Sequence, residues 1–349
     1  MSRGQVESRK WQVYQVESSK WQVCGKIIIM TDIQKKVSVV TGGAGFIGSH
    51  LCDSLIALGH QVYALDNLVT GSEANIEQLK NNPLFTFIQY DVTHEMPILP
   101  EVHFVFHLAS PASVPDYQKF DEETALVNSV GTRNLLKFSK AYKAKFLYTS
   151  TSEVYGSPLE HPQKETYWGN VNPNGIRACY DESKRFGEMM TMLYVRKYGL
   201  DGRIVRIFNT YGPRMRKDDG RVVSNFINQV ITGKPITVYG DGSPTRSFCF
   251  VSDLVSGILK AMFTEHSKGE VFNLGNPEEY TMLDFAKKIQ TMTGTASKIV
   301  FEKLPEDDPP RRKPDITKAT KILGWKPVVS VDEGLEKTIE YYKSLDNKQ

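Results

Sequence analysis

Apolar and polar positions follow two periods along most of the chain, and their alternation predicts the architecture. Short apolar runs rich in β-branched residues predict strands, whereas apolar positions that recur every three to four residues predict helices. Strands are predicted at 37–40, 61–65, 86–90, 104–108, 146–149 and 202–207, with helices at 47–58 and 122–142 between them. Strands that alternate with helices form a parallel, doubly wound sheet, so we expect a Rossmann-type α/β fold.

The pattern changes after residue 207 and differs again in the first 35 residues. Gly, Pro and Arg clusters precede amphipathic helices at 283–293 and 331–345. We therefore expect a sheet domain at 36–205, with 236–265 returning to it, and a smaller substrate-binding lobe in the rest of 206–349. The motif at 5–8 recurs at 15–18, but one repetition of a ten-residue unit is too short for a solenoid. We expect a disordered or incidental extension at 1–35, with a partner-binding tail as the alternative.

Composition excludes several classes of protein. A net charge of +3 over 349 residues gives no argument for nucleic acid binding. No apolar run approaches the roughly 20 residues that span a bilayer, and no export leader is evident, so we expect a cytoplasmic protein. The four cysteines, Cys24, Cys52, Cys179 and Cys249, are widely spaced, which favours reduced packing thiols over disulfides or a metal site.

A glycine-rich segment after the first strand indicates a dinucleotide site. Gly42 permits a tight turn, Gly45 lets the backbone approach a pyrophosphate, and Gly48 allows close packing of helix on strand. Asp66 ends the next predicted strand, where a carboxylate binds the ribose 2′-hydroxyl and repels a 2′-phosphate. The motif therefore predicts NAD rather than NADP.

Further residues are expected beside the same cofactor. Asp91 and Val92 follow the strand at 86–90 and are placed to meet the adenine ring, although Asp91 alone is equally compatible with a helix cap or loop acid. The remaining expected contacts are Phe46, Ile47, Asn67, Leu108, Ser110, Tyr180 and Lys184.

Tyr180 and Lys184 form a candidate catalytic pair. They lie four residues apart, and hence on one face of a helix. Tyrosine has a pKa near 10, and we expect Lys184 and a nicotinamide cation to lower that of Tyr180. Thr151, Ser152 and Glu153 follow the strand at 146–149, so they should face the same crevice. Such a spacing also occurs in surface pairs, and only the whole set of residues favours catalysis.

Together these motifs resemble the extended short-chain dehydrogenases that act on nucleotide sugars, and finer features resemble their UDP-glucuronate decarboxylases. The resemblance covers about residues 36–345 and includes His107 to Ser113, Thr149 to Gly156, Trp168 to Pro173 and Arg206 to Met215. It implies an NAD-dependent decarboxylation of UDP-glucuronate to UDP-xylose through a 4-keto intermediate, with Tyr180, Lys184, Thr151, Ser152 and Glu153 catalytic. It also implies a homodimer.

Ser152 separates this reaction from a related one. Related dehydratases carry an aspartic acid at this position, where it protonates the departing C6 hydroxyl. A serine hydroxyl has too high a pKa for that task at neutral pH, whereas loss of carbon dioxide needs no such acid. By the same resemblance, Asn209, Arg221, Arg246 and Arg312 recognise the sugar or diphosphate, since arginine meets phosphate or carboxylate oxygens bidentately.

The sequence is also compatible with other functions. UDP-glucuronate 4-epimerase and nucleotide-sugar 4,6-dehydratase are the rival enzymes, and an inactive NAD-binding scaffold is the alternative outside enzymes. We expect His107 and His161 to be structural rather than catalytic, and Cys179 to be a packing thiol. Trp168 either covers the sugar or anchors an irregular connection.

Overall fold

A seven-stranded parallel sheet forms the centre of the computed structural model, which describes residues 36–346. Its first strand is buried along its full length, as expected for a parallel strand covered on both faces. In chain order the strands are β1 (Val37–Thr41), β2 (Gln61–Asp66), β3 (Phe85–Gln89), β4 (Phe104–His107), β5 (Lys145–Thr151) and β6 (Gly202–Ile207). A later strand, Val271–Leu274, pairs with β6 at the sheet edge. The predicted fold class is confirmed.

Helices flank this sheet and connect its strands. These are α1 (Phe46–Ala57), α2 (Val114–Lys119), α3 (Asp121–Leu126), α4 (Thr132–Tyr142) and α5 (Ala178–Tyr198). Short 3₁₀ turns occupy Glu73–Leu79 and Ser152–Tyr155. The helix predicted at 122–142 is interrupted by a π-helical turn at Val127–Gly131, which separates α3 from α4.

The order of the strands places a ligand crevice in the middle of the sheet. From one edge the order is β3, β2, β1, β4, β5, β6 and the edge strand at 271–274. The chain moves outward from β1 through β2 to β3 and then returns to lay β4 on the other side of β1. Ligands bind beyond the carboxyl ends of parallel strands at such a reversal.

The rest of the chain builds three small sheets and further helices. The strands are β7 (Thr210–Tyr211), β8 (Ile236–Tyr239), β9 (Thr245–Ser247), β10 (Cys249–Phe250), β11 (Val271–Leu274, the edge strand of the main sheet), β12 (Glu279–Thr281), β13 (Ile299–Glu302) and β14 (Arg311–Arg312). The pairs are β7 with β10, β8 with β13, and β9 with both β12 and β14. The helices are α6 (Val222–Ile231), α7 (Val251–Phe263), α8 (Met282–Thr293), α9 (Thr317–Leu323) and α10 (Val331–Asp346), and a 3₁₀ turn lies at Glu265–Ser267.

Residues 236–265 were predicted to return to the sheet domain, but only part of this segment does so. Strand β8 pairs with β13 in a small sheet, whereas α7 packs against α1 and against the main sheet, which β11 then extends. We propose that the NAD-binding part comprises residues 36–207 and 251–274. None of the helices between residues 36 and 346 has the length and apolarity needed to cross a membrane.

Adjacent residues of β1 enter two different apolar cores because successive strand residues point to opposite faces. Val39 packs in a cluster with Leu135 of α4 and Phe146 of β5. Val40 packs in a larger cluster that includes Leu51 of α1 and Phe285 of α8. The second cluster therefore joins the main sheet to the small lobe with continuous apolar packing.

Candidate active site

One cavity of about 780 Å³ opens at the carboxyl edge of the central strands. It is lined by the residues that the sequence predicts to bind cofactor or substrate or to act in catalysis. These are Gly42, Gly45, Phe46, Ile47, Gly48, Asp66, Asn67, Asp91, Val92, Leu108, Ser110, Thr151, Ser152, Glu153, Tyr180, Lys184, Asn209, Arg221, Arg246 and Arg312. Residues as far apart in the chain as Gly42 and Arg312 thus meet at a single site.

The glycine-rich turn is shaped to accept a pyrophosphate. Gly42 adopts a φ of 71°, and its amide donates a 2.8 Å hydrogen bond to the carbonyl of Leu65. A Cβ at Gly48 would lie 2.0 Å from the carbonyl oxygen of Gly42, so only glycine permits this close approach. Helix α1 begins after Gly45 with no side-chain cap and no acidic residue in its first turn. Its N-terminal amides and dipole therefore remain available to phosphate oxygens.

Asp66, predicted to bind the adenosine ribose, lies on the wall of the cavity. Its carboxylate is buried at the end of β2 and accepts hydrogen bonds from the amides of Ala44, at 3.0 Å, and Leu68, at 2.8 Å. Burial raises the pKa of Asp66, while these amide bonds oppose the rise. A carboxylate offers about four acceptor positions, so it retains capacity for ribose hydroxyls.

Asp91 belongs to the same side of the cavity. It accepts hydrogen bonds from the amide of Thr93, at 2.9 Å, and from the side-chain amide of Asn67, at 3.0 Å. Burial acts to raise the pKa of Asp91, but these hydrogen bonds outweigh it and leave the pKa lowered. Asp91 thus holds Asn67 in place at the cavity wall.

Tyr180 and Lys184 lie in the first two turns of α5, and both are buried. The Lys184 ammonium donates a 3.0 Å hydrogen bond to the carbonyl of Thr149 and lies 5.7 Å from the centroid of the Tyr180 ring. Burial lowers the pKa of Lys184 to about 7. Thr151, at the end of β5, is hydrogen-bonded to the hydroxyl of Tyr180.

Burial raises the pKa of Tyr180, and the hydrogen bond with Thr151 and the charge of Arg221 lower it only in part. The protein alone therefore keeps Tyr180 protonated. Lys184 was predicted to lower the pKa of Tyr180, but it does not lower it enough to ionise the hydroxyl. Lys184 itself carries only a partial charge near pH 7.

Glu153 is held by two arginines. Arg312 donates from both terminal nitrogens to the two carboxylate oxygens, with 2.8 Å between Nη2 and Oε2, and Arg177 donates a further bond of 2.7 Å. Although burial acts to raise the pKa of Glu153, Arg312 and Arg177 outweigh it and hold the pKa at about 2. Arg312, predicted to orient the substrate, is thus bound to Glu153.

The other predicted substrate-binding residues also have internal partners. Arg246 donates to Asp308, at 2.9 Å, and to the carbonyl of Thr245. Arg221 makes two bonds to Asp219, of 2.5 and 2.8 Å. Asn209 lines the cavity, and its carbonyl accepts from the amide of Cys249.

Two buried residues were not predicted from the sequence, one that lines the cavity and one that supports residues beside it. Arg177 immediately precedes α5, lines the cavity and contacts both Glu153 and Asp308. Its position three residues before Tyr180, on the same helical face, was the signal available in the sequence. Asn128, in the π-helical turn, donates 3.1 Å hydrogen bonds to the hydroxyls of Ser110 and Ser183, which lies beside Lys184.

The histidines singled out from the sequence have structural roles. His107 is buried between the hydroxyls of Thr41 and Thr132, at 2.9 and 3.0 Å, and burial lowers its pKa to about 3. His161 contacts the carboxylate of Glu279 at 3.1 Å, away from the cavity. Neither is placed to act as a base.

The cysteines and the tryptophan loop lie around the site rather than in it. Cys52, Cys179 and Cys249 are free thiols, and burial raises the pKa of each. Cys24 and the repeat near the N-terminus lie outside the described residues. The side chain of Trp168 is 88% exposed, so it anchors no packed connection, and it does not line the cavity.

The residues present fit a bound dinucleotide, and this fold and site define an NAD-dependent enzyme of the epimerase/dehydratase class. The model of the NAD dependent epimerase/dehydratase family matches residues 38–275. The chain belongs to this family and, within it, to the UDP-glucuronic acid decarboxylases. The predicted family and the predicted NAD cofactor are thereby confirmed.

Two curated relatives show that the chain belongs to the UDP-glucuronic acid decarboxylases. UDP-glucuronic acid decarboxylase 4 of Arabidopsis thaliana is 54% identical over 89% of this chain and 70% of its own length. UDP-glucuronic acid decarboxylase 1 of Danio rerio is 49% identical over 90% of this chain and 74% of its own length.

Solved structures show the same fold with ligands bound. UDP-glucuronic acid 4-epimerase from Bacillus cereus, solved with UDP-glucuronic acid and NAD, matches with a TM-score of 0.82 and 32% identity over 88% of this chain and 99% of that one. UDP-glucose 4-epimerase from Thermotoga maritima, solved with UDP-glucose, gives a TM-score of 0.80 at the same identity and coverage.

Proposed function

We propose that this protein decarboxylates UDP-glucuronate to UDP-xylose with NAD as a cofactor that is regenerated in every cycle. The observation that carries the proposal is the grouping of Thr151, Tyr180 and Lys184 in one cavity with Ser152 and Glu153. Identity of about 50% to several decarboxylases supports the same reaction. The rival enzymes are less favoured, since the 4-epimerase structures are about 32% identical.

The proposed reaction begins at the C4 hydroxyl of the sugar. Tyr180 takes the proton from this hydroxyl, and Thr151 holds the oxygen in place. NAD⁺, when bound, would supply the acceptor for the C4 hydride, the donor that later returns it, and a positive charge that favours the ionised form of Tyr180. Asp66, the turn at Gly42 to Gly48 and Lys184 would hold this cofactor.

Oxidation at C4 makes the loss of carbon dioxide feasible. The 4-ketone is β to the C6 carboxylate, so the electron pair released with CO₂ delocalises into the carbonyl. Tyr180, now protonated, stabilises the enolate oxygen that results. A proton is then added at C5, and reduction at C4 leaves the pentose. Ser152 provides no acid for the competing loss of water from C6.

Identification of the product tests this function. Purified protein incubated with UDP-glucuronate should release CO₂ and a UDP-pentose, and a reduced nicotinamide should appear transiently in a single turnover. A six-carbon product would instead establish the epimerase. Consumption of a neutral UDP-hexose but not UDP-glucuronate would establish the dehydratase, and binding of NAD without any turnover would establish the scaffold.

We propose further that the active form is a homodimer. Helices α3 and α5 pack together, and each carries large apolar side chains that are about 40% exposed. They are Leu126 in α3, Val130 in the following π-helical turn, and Phe186 and Met189 in α5. A second copy related by a twofold axis would cover this patch symmetrically. Light scattering should give the mass of a dimer, and Phe186→Glu should give a monomer.

We propose a cytoplasmic location on the basis of the thiols. Cys52, Cys179 and Cys249 are all unpaired among the described residues, as is usual in a reducing compartment. Fractionation of cells that produce the protein checks this proposal, and recovery in an exported fraction would contradict it.

A further inference from the structure

Five charged side chains form a buried network beside the catalytic residues, which we call the arginine–carboxylate cluster. It comprises Glu153 and Asp308 with Arg177, Arg246 and Arg312. Arg312 donates hydrogen bonds to Glu153 from both terminal nitrogens, and Arg246 donates to Asp308 at 2.9 Å. Arg177 joins the two halves, since it donates to Glu153 at 2.7 Å and to Asp308 at 3.3 Å. Three guanidinium groups therefore face two carboxylates.

Arg177 is the member that shares both of its carboxylate partners with other arginines. Each of its two carboxylate partners is already bound by another arginine, Glu153 by Arg312 and Asp308 by Arg246. The Nε atoms of Arg177 and of Arg312 are both buried and have no hydrogen-bond partner in the part of the chain that the structure describes. The side chain of Arg177 is 8% exposed, so water compensates little of its charge.

A third acid near the cluster does not remove the imbalance at neutral pH. Asp181 is buried next to Tyr180, and one of its carboxyl oxygens has no partner among residues 36–346. Burial and the negative charge of Glu153 raise the pKa of Asp181 to about 7, against the opposing effect of Arg177. Asp181 is thus partly protonated, and a further anion near the cluster would favour its protonated form.

The position of Arg177 indicates which anion completes the cluster. Arg177 lines the cavity and precedes Tyr180 by three residues, and its partner Glu153 follows Thr151 by two. Tyr180 and Thr151 act at C4 of the sugar in the proposed reaction, and the C6 carboxylate is two carbon–carbon bonds from C4. A group on C6 is therefore within reach of the cluster when C4 lies at Tyr180 and Thr151.

We propose that Arg177 is the residue that selects UDP-sugars with a carboxylate at C6 over neutral UDP-hexoses. This inference rests on the proposed function and specifies how the substrate is distinguished. The substrate carboxylate supplies the negative charge that the cluster lacks, and a neutral hydroxymethyl group leaves the three arginines with only two carboxylates. Burial of the cluster makes this difference larger than it would be in water.

Sharing of Arg177 between two carboxylates also suits the chemistry. A carboxylate held tightly by an unshared arginine is stabilised in the ground state, which opposes the departure of neutral CO₂. Glu153 and Asp308 weaken the field of Arg177 at the substrate without cancelling it. The site thus recognises the carboxylate and still permits its loss.

Binding measurements on NAD-loaded protein test the inference. We would titrate UDP-glucuronate and UDP-glucose in a Tyr180→Phe background, so that neither ligand is consumed, with Arg177 intact or replaced. Arg177→Gln should weaken UDP-glucuronate binding about 10- to 100-fold, the range for loss of a charged hydrogen bond, and should change UDP-glucose binding less than about twofold. Arg177→Lys should recover part of the loss. An equal loss for both ligands would assign Arg177 to the diphosphate or to folding and overturn the inference.

Asp308→Asn provides a second measurement with a different expected sign. Removal of this carboxylate leaves Arg177 and Arg246 less neutralised, so UDP-glucuronate should bind more tightly while decarboxylation slows, which lowers both KM and kcat. An unchanged kcat with a raised KM would contradict the inference. The proposed function itself stands or falls separately, because it is judged by the product that the unmodified protein makes.

Discussion

The rings of Tyr117 and Tyr180 stack in parallel, with 4.9 Å between their centroids and 5° between their planes. Tyr117 is buried in α2, and among residues 36–346 its hydroxyl has no hydrogen-bond partner. The stack therefore holds Tyr180 through its ring, independently of the hydroxyl that faces Thr151. A substitution can therefore remove the hydroxyl of Tyr180 without moving its ring.

Tyr180→Phe should consequently abolish most of the activity while it leaves the fold intact. The phenylalanine ring preserves the stack on Tyr117, but no group remains to take the C4 proton, so we expect kcat to fall about 100- to 10,000-fold. Release of CO₂ from UDP-glucuronate measures the loss. Tyr180→Ala, which also removes the stack, should in addition lower the unfolding temperature. Near-normal turnover by Tyr180→Phe would contradict the proposed mechanism.

Gly48→Ala should weaken the binding of NAD. The added methyl group would meet the carbonyl oxygen of Gly42 at 2.0 Å, so the turn or the start of α1 must move. We expect NAD affinity to fall by at least about tenfold, roughly 1.4 kcal/mol, as measured by a fluorescence titration. Ser54→Ala, a change further along the same helix, is the matched control and should bind NAD normally. Unchanged affinity in Gly48→Ala would show that the turn does not hold the pyrophosphate.

Local motifs explain why much of the fold and site was predictable. The turn at Gly42 to Gly48 and the pair Tyr180 and Lys184 are defined by residues close in sequence, where spacing alone fixes turn and helical face. The strands were predicted because buried parallel strands are nearly continuous apolar runs. The resemblance to a known family then supplied the reaction.

Long-range pairing explains what was missed. Arg177 is 24 residues from Glu153 and 131 from Asp308, and no local pattern indicates that these side chains meet. The acidic run that contains Asp308 looks like a solvated loop until its partners are known. Likewise, the helix at 122–142 was predicted as continuous, whereas Asn128 lies in a π-helical turn with contacts to two separate segments.

Trp168→Ala separates the two roles predicted for this side chain. Because Trp168 is 88% exposed, its removal should change the free energy of unfolding by less than about 0.5 kcal/mol. A raised KM for UDP-glucuronate at unchanged stability would mean that the loop closes over the bound sugar. Arg185→Ala is the comparison, because Arg185 binds the carbonyl of Trp168 at 2.7 Å and that of Val154 at 3.0 Å. A large loss of stability in Trp168→Ala would restore the anchoring role.

Asp181→Asn should change how stability depends on pH. Burial, reinforced by the charge of Glu153, raises the pKa of Asp181 to about 7, whereas a free aspartate has a pKa near 4. Between these values the folded protein binds more protons at Asp181 than the unfolded chain does. The contribution of Asp181 to the free energy of unfolding therefore falls as pH rises from about 4 to 7, by up to about 1.4 kcal/mol per unit.

Asparagine does not titrate, so Asp181→Asn removes this dependence. Relative to the original protein, the variant should gain stability steadily from pH 5 to 7 and gain no more above about pH 8. Unfolding in urea at each pH gives the difference between the two proteins, which cancels the titration of groups distant from this site. Glu153, with its pKa held at about 2, contributes no slope in this range. A difference that stays constant from pH 5 to 8 would mean that Asp181 is already ionised throughout, and that the arginine–carboxylate cluster carries no unmatched positive charge.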